Sequence, residues 1–184
     1  MIRVFVAGEG AHELGDWARD ATYRASPPAA GAIEVLARKV SPEGWSVVGG
    51  VQWKRIRKVA PGAHRSREER NVRGALLQAQ EANCEVVLFL RDQDGDGDRE
   101  PTIEAAVADS SKVAWGVPVR SLDAWLLALE GREKTEQIRE PKDEVGDHHA
   151  AVVIARFQAA DISAAPRDAR SLRAWLDRVR IALP

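Results

Sequence analysis

A run of aspartates follows five apolar residues in the middle of the chain. The segment 86–90 is apolar throughout, and Asp92, Asp94, Asp96 and Asp98 then stand on alternate positions. A strand without polar residues is typical of a parallel sheet that is covered on both faces. Carboxylates this close repel one another at the end of a buried strand, and a hard divalent cation such as Mg²⁺ would neutralise them. The run therefore indicates a metal site, with a solvated acidic turn as the alternative.

Other acidic residues also follow predicted strands. Glu9 stands between two glycines just after the predicted strand 2–7, Glu13 comes four residues later, and Asp123 follows the predicted strand 112–119. A helix that begins at the first turn places Glu9 and Glu13 on one face. Because the carboxyl ends of parallel strands lie along one edge of a sheet, we expect these carboxylates to converge with Asp92. Alternatively, Glu9 and Glu13 stabilise a helix N-terminus through its dipole.

A basic segment precedes the aspartate run. Within twenty residues it carries nine basic side chains against Glu68 and Glu69: Lys54, Arg55, Arg57, Lys58, His64, Arg65, Arg67, Arg70 and Arg73. Lys and Arg at this density neutralise the phosphate backbone of nucleic acids, although a solvated charged face is the alternative. The residues predicted to bind nucleic acid beside the acidic site are Lys54, Arg55, Arg57, Lys58, Arg65 and Arg67.

Strand and helix patterns alternate along the chain. Strands are predicted at 2–7, 45–53 (interrupted by two glycines), 86–90 and 112–119, and helices at 11–24, 29–39, 68–83, from Pro101 onwards, and at 122–129, 152–157 and 171–181. Ser121 is the predicted N-cap of the helix 122–129, and 138–149 is predicted to be irregular. The alternation favours an α/β fold, with a mostly parallel central sheet and helices on both faces.

Composition excludes several classes of protein. The 184 residues carry a net charge of −1, which gives no overall field towards nucleic acid or membrane. Cys84 is the single cysteine, so no internal disulfide forms, which favours a reducing compartment. We see neither a signal-peptide pattern nor an apolar run long enough for a membrane span, and we expect a cytoplasmic protein with no membrane partner. No Gly-x-x-x-x-Gly-Lys-Ser/Thr motif is present, so this chain supplies no P-loop.

The aspartate run also matches the start of a calcium-binding EF-hand loop. The positions from Asp92 to Gly97 fit the first six positions of such a loop. The eighth position is Arg99 instead of an apolar residue, and the twelfth is Ile103 instead of the bidentate glutamate. Because a strand also takes the place of the preceding helix, we do not expect an EF-hand.

Several segments resemble Toprim domains. The segment 8–13 resembles their glutamate motif, in the form with a second acid four residues on, and 88–94 resembles their strand followed by Asp-x-Asp. The segment 116–128 is similar to a stand-alone bacterial Toprim-like family related to the OLD (overcoming lysogenization defect) nucleases, which usually carries Glu-(Ile/Leu)-Glu-Ala-Trp-Leu-Leu-Ala there. Segments 140–142 and 171–176 look like that family's tail. The chain departs from the pattern where Ser121 replaces a frequent acid and Asp123 replaces a glutamate.

The resemblance implies an organisation and an activity. It implies a Toprim-like domain over 1–135, with a small helical C-terminal extension over 136–184 packed on it. It further implies cleavage of DNA or RNA that depends on one or two Mg²⁺ or Mn²⁺ ions. The implied metal ligands are Glu9, Glu13, Asp92, Asp94, Asp96 and Asp123, and the implied catalytic residues are Glu9, Asp92, Asp94 and Lys142, the lysine stabilising the pentavalent phosphate.

The resemblance also implies partners. Related proteins are coupled to a separate ABC- or AAA-type ATPase subunit in anti-phage systems, so we expect such a subunit here, and we leave a homodimer open. The alternative function is a non-catalytic Toprim-like regulatory or assembly module, which would bind the ATPase or nucleic acid without cleavage.

Overall fold

Four parallel strands form one sheet in this computed structural model, which describes residues 1–57, 66–107 and 110–184. The strands are β1 (Ile2–Gly8), β2 (Trp45–Gln52), β3 (Val86–Leu90) and β4 (Val113–Gly116), in the order β2-β1-β3-β4. The helices are α1 (Ala11–Leu14), α2 (Ala32–Val40), α3 (Arg67–Glu81), α4 (Arg99–Val107), α5 (Leu122–Leu129), α6 (Pro141–Val145), α7 (Ala150–Ala159) and α8 (Arg170–Ala182). The predicted α/β fold with a parallel sheet is confirmed.

The two acid-bearing strands β1 and β3 are neighbours at the centre of the sheet. They pair in parallel, with Val6 opposite Leu88 and Ala7 opposite Phe89. Both strands therefore reach their carboxyl ends at nearly the same level. The prediction that 2–7 and 86–90 lie side by side and parallel near the sheet centre is confirmed.

Successive residues of the central strands enter separate cores on the two faces of the sheet. Val6 and Leu88 belong to a core that also holds residues of α2, α5, α7 and α8. Phe5 and Phe89 belong to a second core with residues of α3 and α4. Because both faces are covered, β1 from Val4 onwards and the whole of β3 are buried, which explains the continuous apolar run in β3. Fully burying one large apolar side chain contributes about 1.5–3 kcal/mol, so this double covering fixes the strand ends firmly.

The predicted single helix over 11–24 is wrong. The α-helix α1 ends at Leu14, and two 3₁₀ turns follow, at Gly15–Ala18 and Ala21–Tyr23. Gly15 has a φ of +58°, and a Cβ placed on it would lie 2.2 Å from the Ala29 carbonyl oxygen. Close packing of the next segment against this point therefore ends the helix.

Other element boundaries also differ from the predictions. β2 is continuous through its two glycines, although its register against β1 shifts by one residue. β4 ends at Gly116, before Pro118, because proline cannot continue the ladder of backbone hydrogen bonds. α4 begins at Arg99, two residues before Pro101, and α6 occupies part of the segment that was predicted to be irregular.

The C-terminal helix α8 packs on the edge strand β4 and on α5. Trp175 of α8 is fully buried against Trp125 of α5, with ring centroids 5.7 Å apart. The indole Nε1 of Trp125 donates to Ser171 Oγ at 2.7 Å, which ties the start of α8 to the middle of α5. This packing fixes α5 and hence Asp123 in its first turn. A division of the chain at residue 135 stays a prediction.

The sequence predicts a cytoplasmic protein with no membrane partner. Over the ranges that the structure describes, every helix is too short or too polar to cross a bilayer. The cytoplasmic location stays a prediction.

Candidate active site

The carboxylates that follow β1 and β3 meet at the carboxyl end of the sheet. Glu9 lies in the turn after β1, and its Oε1 accepts a hydrogen bond from the backbone N–H of Asp92 at 3.2 Å. This contact follows directly from the parallel pairing of the two strands, since each acid comes one or two residues after its strand ends. The predicted convergence of Glu9 and Asp92 is observed.

Glu13 points back towards the same strand ends from α1. Its side chain is only 7% exposed, and its Oε2 accepts the backbone N–H of Gly10 at 2.8 Å. A Cβ on Gly8 would lie 2.7 Å from the Cβ of Glu13, so glycine at this position allows the close approach. Burial raises the pKa of Glu13. The bond to Gly10 lies at the N-terminus of α1, which is where the alternative interpretation places Glu13 as a stabilising acid. Glu13 therefore also has a structural contact at this helix end.

Asp92 lies at the centre of the group. Burial, followed by the negative charges of Glu13, Glu9, Asp94 and Asp123, raises the pKa of Asp92 to about 9. In the described part of the chain, no group donates a hydrogen bond to its carboxylate, and no cationic side chain pairs with it. We define the acidic edge as the five residues Glu9, Glu13, Asp92, Asp94 and Asp123. They come from three segments of the sequence and converge on Asp92.

Asp123 reaches the acidic edge from the first turn of α5 and is held by two neighbours. Ser121 occupies the predicted N-cap position, but its hydroxyl donates to Asp123 Oδ2 at 3.1 Å instead of capping the helix. His148 Nδ1 lies 3.6 Å from Asp123 Oδ1, while His148 Nε2 donates to the Lys142 carbonyl at 2.6 Å. Sequence reasoning missed His148, which lies in the segment predicted to be irregular.

Lys142 opens onto the same space as the acids. A cleft of about 440 Å³ is lined by residues of α5 and α6, of the loops beside them and of the loop that follows β3: Asp92, Asp94, Gly95, Arg120, Ser121, Asp123, Arg139, Glu140, Pro141 and Lys142. Lys142 stands in the first turn of α6, which Pro141 begins. Lys142 therefore lines the same cleft as Asp92, Asp94 and Asp123, and its catalytic role stays a prediction.

Two arginines that the predictions did not include bind part of the acidic edge. The Arg91 guanidinium pairs with Glu9, and its Nη1 also lies 3.4 Å from Asp94 Oδ2. Arg99, only 8% exposed, donates from Nη1 to Asp94 at 2.9 Å and also to the Asp92 carbonyl. The sequence did contain a signal for Arg91. It stands directly between the last residue of β3 and Asp92, so it must lie at the same strand end as the acids.

Asp96 lies apart from the other predicted metal ligands. Asp94 and Gly95 both have positive φ, at 49° and 76°, and turn the chain away after Asp94. Asp96 then lines a second cleft of about 470 Å³, together with Arg67, Glu68, Arg91 and Arg99, and lies 3.7 Å from Arg99 Nη2. The alternate spacing of the aspartates therefore does not place Asp96 beside Asp92.

Part of the basic segment is paired with acids. Arg55 pairs with Asp20, and Arg57 Nη2 lies 2.9 Å from Glu81 Oε2. Lys54 is exposed, and Arg67 is exposed at the start of α3. The predicted nucleic-acid contacts Lys58 and Arg65 lie outside the described residues. Binding of nucleic acid by this segment stays a prediction.

The donor set of the acidic edge fits a hard divalent cation. Within residues 1–57, 66–107 and 110–184, no three Asp, Glu, His or Cys side chains are already arranged to hold an ion. The ligands available are carboxylate oxygens, which Mg²⁺ and Mn²⁺ prefer. No arginine of the described residues pairs with the carboxylate of Glu13, Asp92 or Asp123. A bound cation would relieve the repulsion between these carboxylates. Rotation of these side chains towards a common point is therefore electrostatically favoured when an ion binds.

Comparisons of the chain with protein families, curated proteins and solved structures find no match.

Proposed function

We propose that this chain is a Toprim-like phosphodiesterase that cleaves DNA or RNA with Mg²⁺ or Mn²⁺. The observation that carries the proposal is the half-buried Asp92, whose carboxylate lies close enough to four others at the carboxyl end of a parallel sheet for their charges to raise its pKa. Open α/β sheets bind their ligands at this edge. The resemblance of the segments around Glu9, Asp92 and Asp123 to Toprim motifs gives the reaction class.

The residues of the acidic edge have separate roles in this proposal. Glu13, Asp92 and Asp123 would hold the ion, which when bound supplies charge stabilisation to the phosphoryl oxygens and lowers the pKa of a bound water. Ser121 and His148 orient Asp123 through the contacts at 3.1 and 3.6 Å. Lys142 donates to a non-bridging oxygen of the phosphate, and Glu9 lies beside Asp92, where it can accept a proton from the attacking water.

The physiological setting belongs to the same proposal. The family resemblance favours a bacterial anti-phage system in which a separate ABC- or AAA-type ATPase controls this effector. Nucleic acid is the expected substrate, and the chain alone supplies no ATP-binding loop.

A non-catalytic module is the second candidate, and two contacts favour it. Arg91 pairs with Glu9 and Arg99 pairs with Asp94, so two of the acids assigned to catalysis already have cationic partners. A protein that retained the fold but lost cleavage could keep its acids neutralised in this way. It would bind the ATPase or nucleic acid without turnover.

Thermal stability and cleavage, measured together, distinguish the two functions. The full chain would be melted in EDTA, in Mg²⁺ and in Mn²⁺, and then incubated with single- and double-stranded DNA and RNA. A nuclease gains stability from the ion, because the ion binds the folded state, and it cleaves at least one substrate only when the ion is present. Stabilisation without cleavage of any substrate favours the module. Neither stabilisation nor cleavage overturns the metal-dependent proposal.

A further inference from the structure

The carboxylates around the strand ends fall into two sets according to whether an arginine binds them. In the part of the chain that the structure describes, no arginine forms an ion pair with the carboxylate of Glu13, Asp92 or Asp123. The arginine-bound set contains Glu9, Asp94, Asp96 and Glu68, which contact Arg91, Arg99 or both. Position in the sequence does not explain the division, since Asp92 and Asp94 belong to different sets.

The two arginines are anchored by a residue outside the acidic edge. Glu68, in the first turn of α3, lies 3.4 Å from Arg91 Nε and 3.5 Å from Arg99 Nε. Trp53 Nε1 in turn donates to Glu68 Oε2 at 3.1 Å. The arginine side chains are 16% and 9% exposed, so the two guanidinium groups are enclosed and held from behind. Their position is therefore a built feature of the site and not a contact of mobile surface chains.

A guanidinium group and a divalent ion compete for the same carboxylate oxygens. Arg91 contacts both Glu9 and Asp94, which are the acids that a second ion beside Asp92 would need. Two ions in a phosphodiesterase site stand about 3.5–4 Å apart, so the second one cannot bind while both acids remain paired to arginine. Arginine is permanently charged and presents a fork of donors that suits carboxylates and phosphates.

We propose that Arg91 and Arg99 take the place of a second metal ion, so that the site binds one divalent ion at Glu13, Asp92 and Asp123. The proposal rests on the proposed function and deepens it by fixing the metal content of the site. The two arginines supply the fixed positive charge on the Glu9 side of the phosphate. The single ion neutralises Glu13, Asp92 and Asp123, which have no arginine ion pair.

The number of ions bound per chain tests this directly. Mn²⁺ would be titrated into the full chain by calorimetry at neutral pH after removal of metals with EDTA. We expect one ion per wild-type chain. Arg91→Met, which keeps the apolar stem and removes the charge, is expected to bind two ions, because Glu9 then has no arginine partner among the described residues and Asp94 keeps Arg99 alone. Arg91→Lys retains the charge and is expected to bind one ion.

Two further variants keep the result interpretable. Arg180→Met removes an arginine that pairs with Asp177 on α8, away from the site, and is expected to bind one ion. Arg91→Gln, which also removes the charge, is a second route to the same change if circular dichroism shows that Arg91→Met does not fold. Two ions on the wild-type chain would overturn the inference while leaving the proposed function intact, as would one ion on whichever of these two uncharged Arg91 variants folds. No ion on the wild-type chain would overturn the proposed metal-dependent function itself.

Discussion

The acidic edge and the basic segment carry opposite charges, and they differ in how those charges are neutralised. In the basic segment, Arg55 pairs with Asp20 and Arg57 pairs with Glu81 on the surface. At the acidic edge, Asp92 has no cationic partner among the described residues, and its pKa is raised to about 9. The basic residues come from one stretch of the sequence and some of them are already paired, whereas the acidic ones come from distant segments and keep an unneutralised centre.

This difference shows which region lacks a partner. Exposed ion pairs contribute about 0–1 kcal/mol and are common on any protein surface. Carboxylates that are gathered and partly buried without a cation destabilise the fold, and a protein retains such an arrangement where a site requires it. The comparison therefore supports the proposal that a cation binds at the acidic edge and that phosphate reaches the site through it.

Removing Asp92 is expected to have the largest effect. Asp92→Ala takes the central carboxylate from the acidic edge, so we expect loss of Mn²⁺-dependent stabilisation and a fall in cleavage of at least about 100-fold. The measurements are melting temperature with and without Mn²⁺ and single-turnover cleavage on the same samples.

The matched control for this substitution is Asp98→Ala. Asp98 is an exposed aspartate of the same loop and is not part of the acidic edge. It should keep both the stabilisation and the cleavage of the wild-type chain. Equal losses in the two variants would show that the loop, and not the unneutralised centre, determines activity, and the comparison between the regions would fail.

The sequence predicts the fold and the centre of the site because both follow from the strands. The apolar run 86–90 identifies a doubly covered strand, and its parallel neighbour β1 brings Glu9 to Asp92. Contacts that depend on long-range packing were beyond sequence reasoning. Arg99 reaches Asp94 because α4 packs beside α3, and His148 reaches Asp123 because α6 and α7 fold back over α5.

Local patterns were also misleading where tertiary contacts decide the outcome. Alternate spacing suggested that Asp96 joins Asp92, but positive φ at Asp94 and Gly95 sends Asp96 to another cleft. The basic segment suggested a continuous phosphate-binding face, yet its partners Asp20 and Glu81 are distant in sequence and could not be identified from spacing.

Loss of a group that orients Asp123 is expected to have a smaller effect. His148→Ala removes the imidazole that lies 3.6 Å from Asp123 and bridges it to the Lys142 carbonyl. Groups that orient ligands typically change metal affinity by about 10–100-fold, so we expect about a 10-fold weaker Mn²⁺ affinity by calorimetry. The neighbouring His149, which is exposed, provides the control, and His149→Ala should bind Mn²⁺ as the wild-type chain does. Equal affinity for His148→Ala and wild type would contradict an orienting role.

The unneutralised centre also predicts how stability without metal depends on pH. The pKa of Asp92 is about 9 in the folded chain and about 3.9 in an unfolded one. Between these values the folded chain binds one more proton than the unfolded chain, so the stability contributed by protonated Asp92 falls as pH rises. Asp92→Asn removes this dependence, because an amide does not titrate.

Melting curves in EDTA from pH 5 to pH 9 measure this effect. We expect Asp92→Asn and wild type to melt together near pH 5, and the variant to melt increasingly higher than wild type as pH rises to 9, because each pH unit between the two pKa values costs wild type about 1.4 kcal/mol, or about 3–6 °C for a chain of this size. Asp98→Asn should follow the wild-type curve. Parallel curves for Asp92→Asn and wild type across the whole range would show that Asp92 is ionised at neutral pH, and its environment would then resemble that of the paired surface charges.

The smallest effect concerns the basic segment itself. Arg57 is paired with Glu81, whereas no carboxylate in the described residues pairs with Arg67, which lines the cleft with Arg91 and Arg99. If nucleic acid contacts this side of the molecule, Arg67→Ala should lower the slope of log affinity against log salt by about one, as one lost phosphate contact does. Arg57→Ala should change that slope less, because Glu81 already neutralises its charge, and should cost at most about 1 kcal/mol of stability.

Fluorescence anisotropy with a labelled oligonucleotide at several salt concentrations measures both variants. Equal slopes for the two would mean that pairing with Glu81 does not remove Arg57 from the interface, and a contiguous basic face would again be the better description of this region.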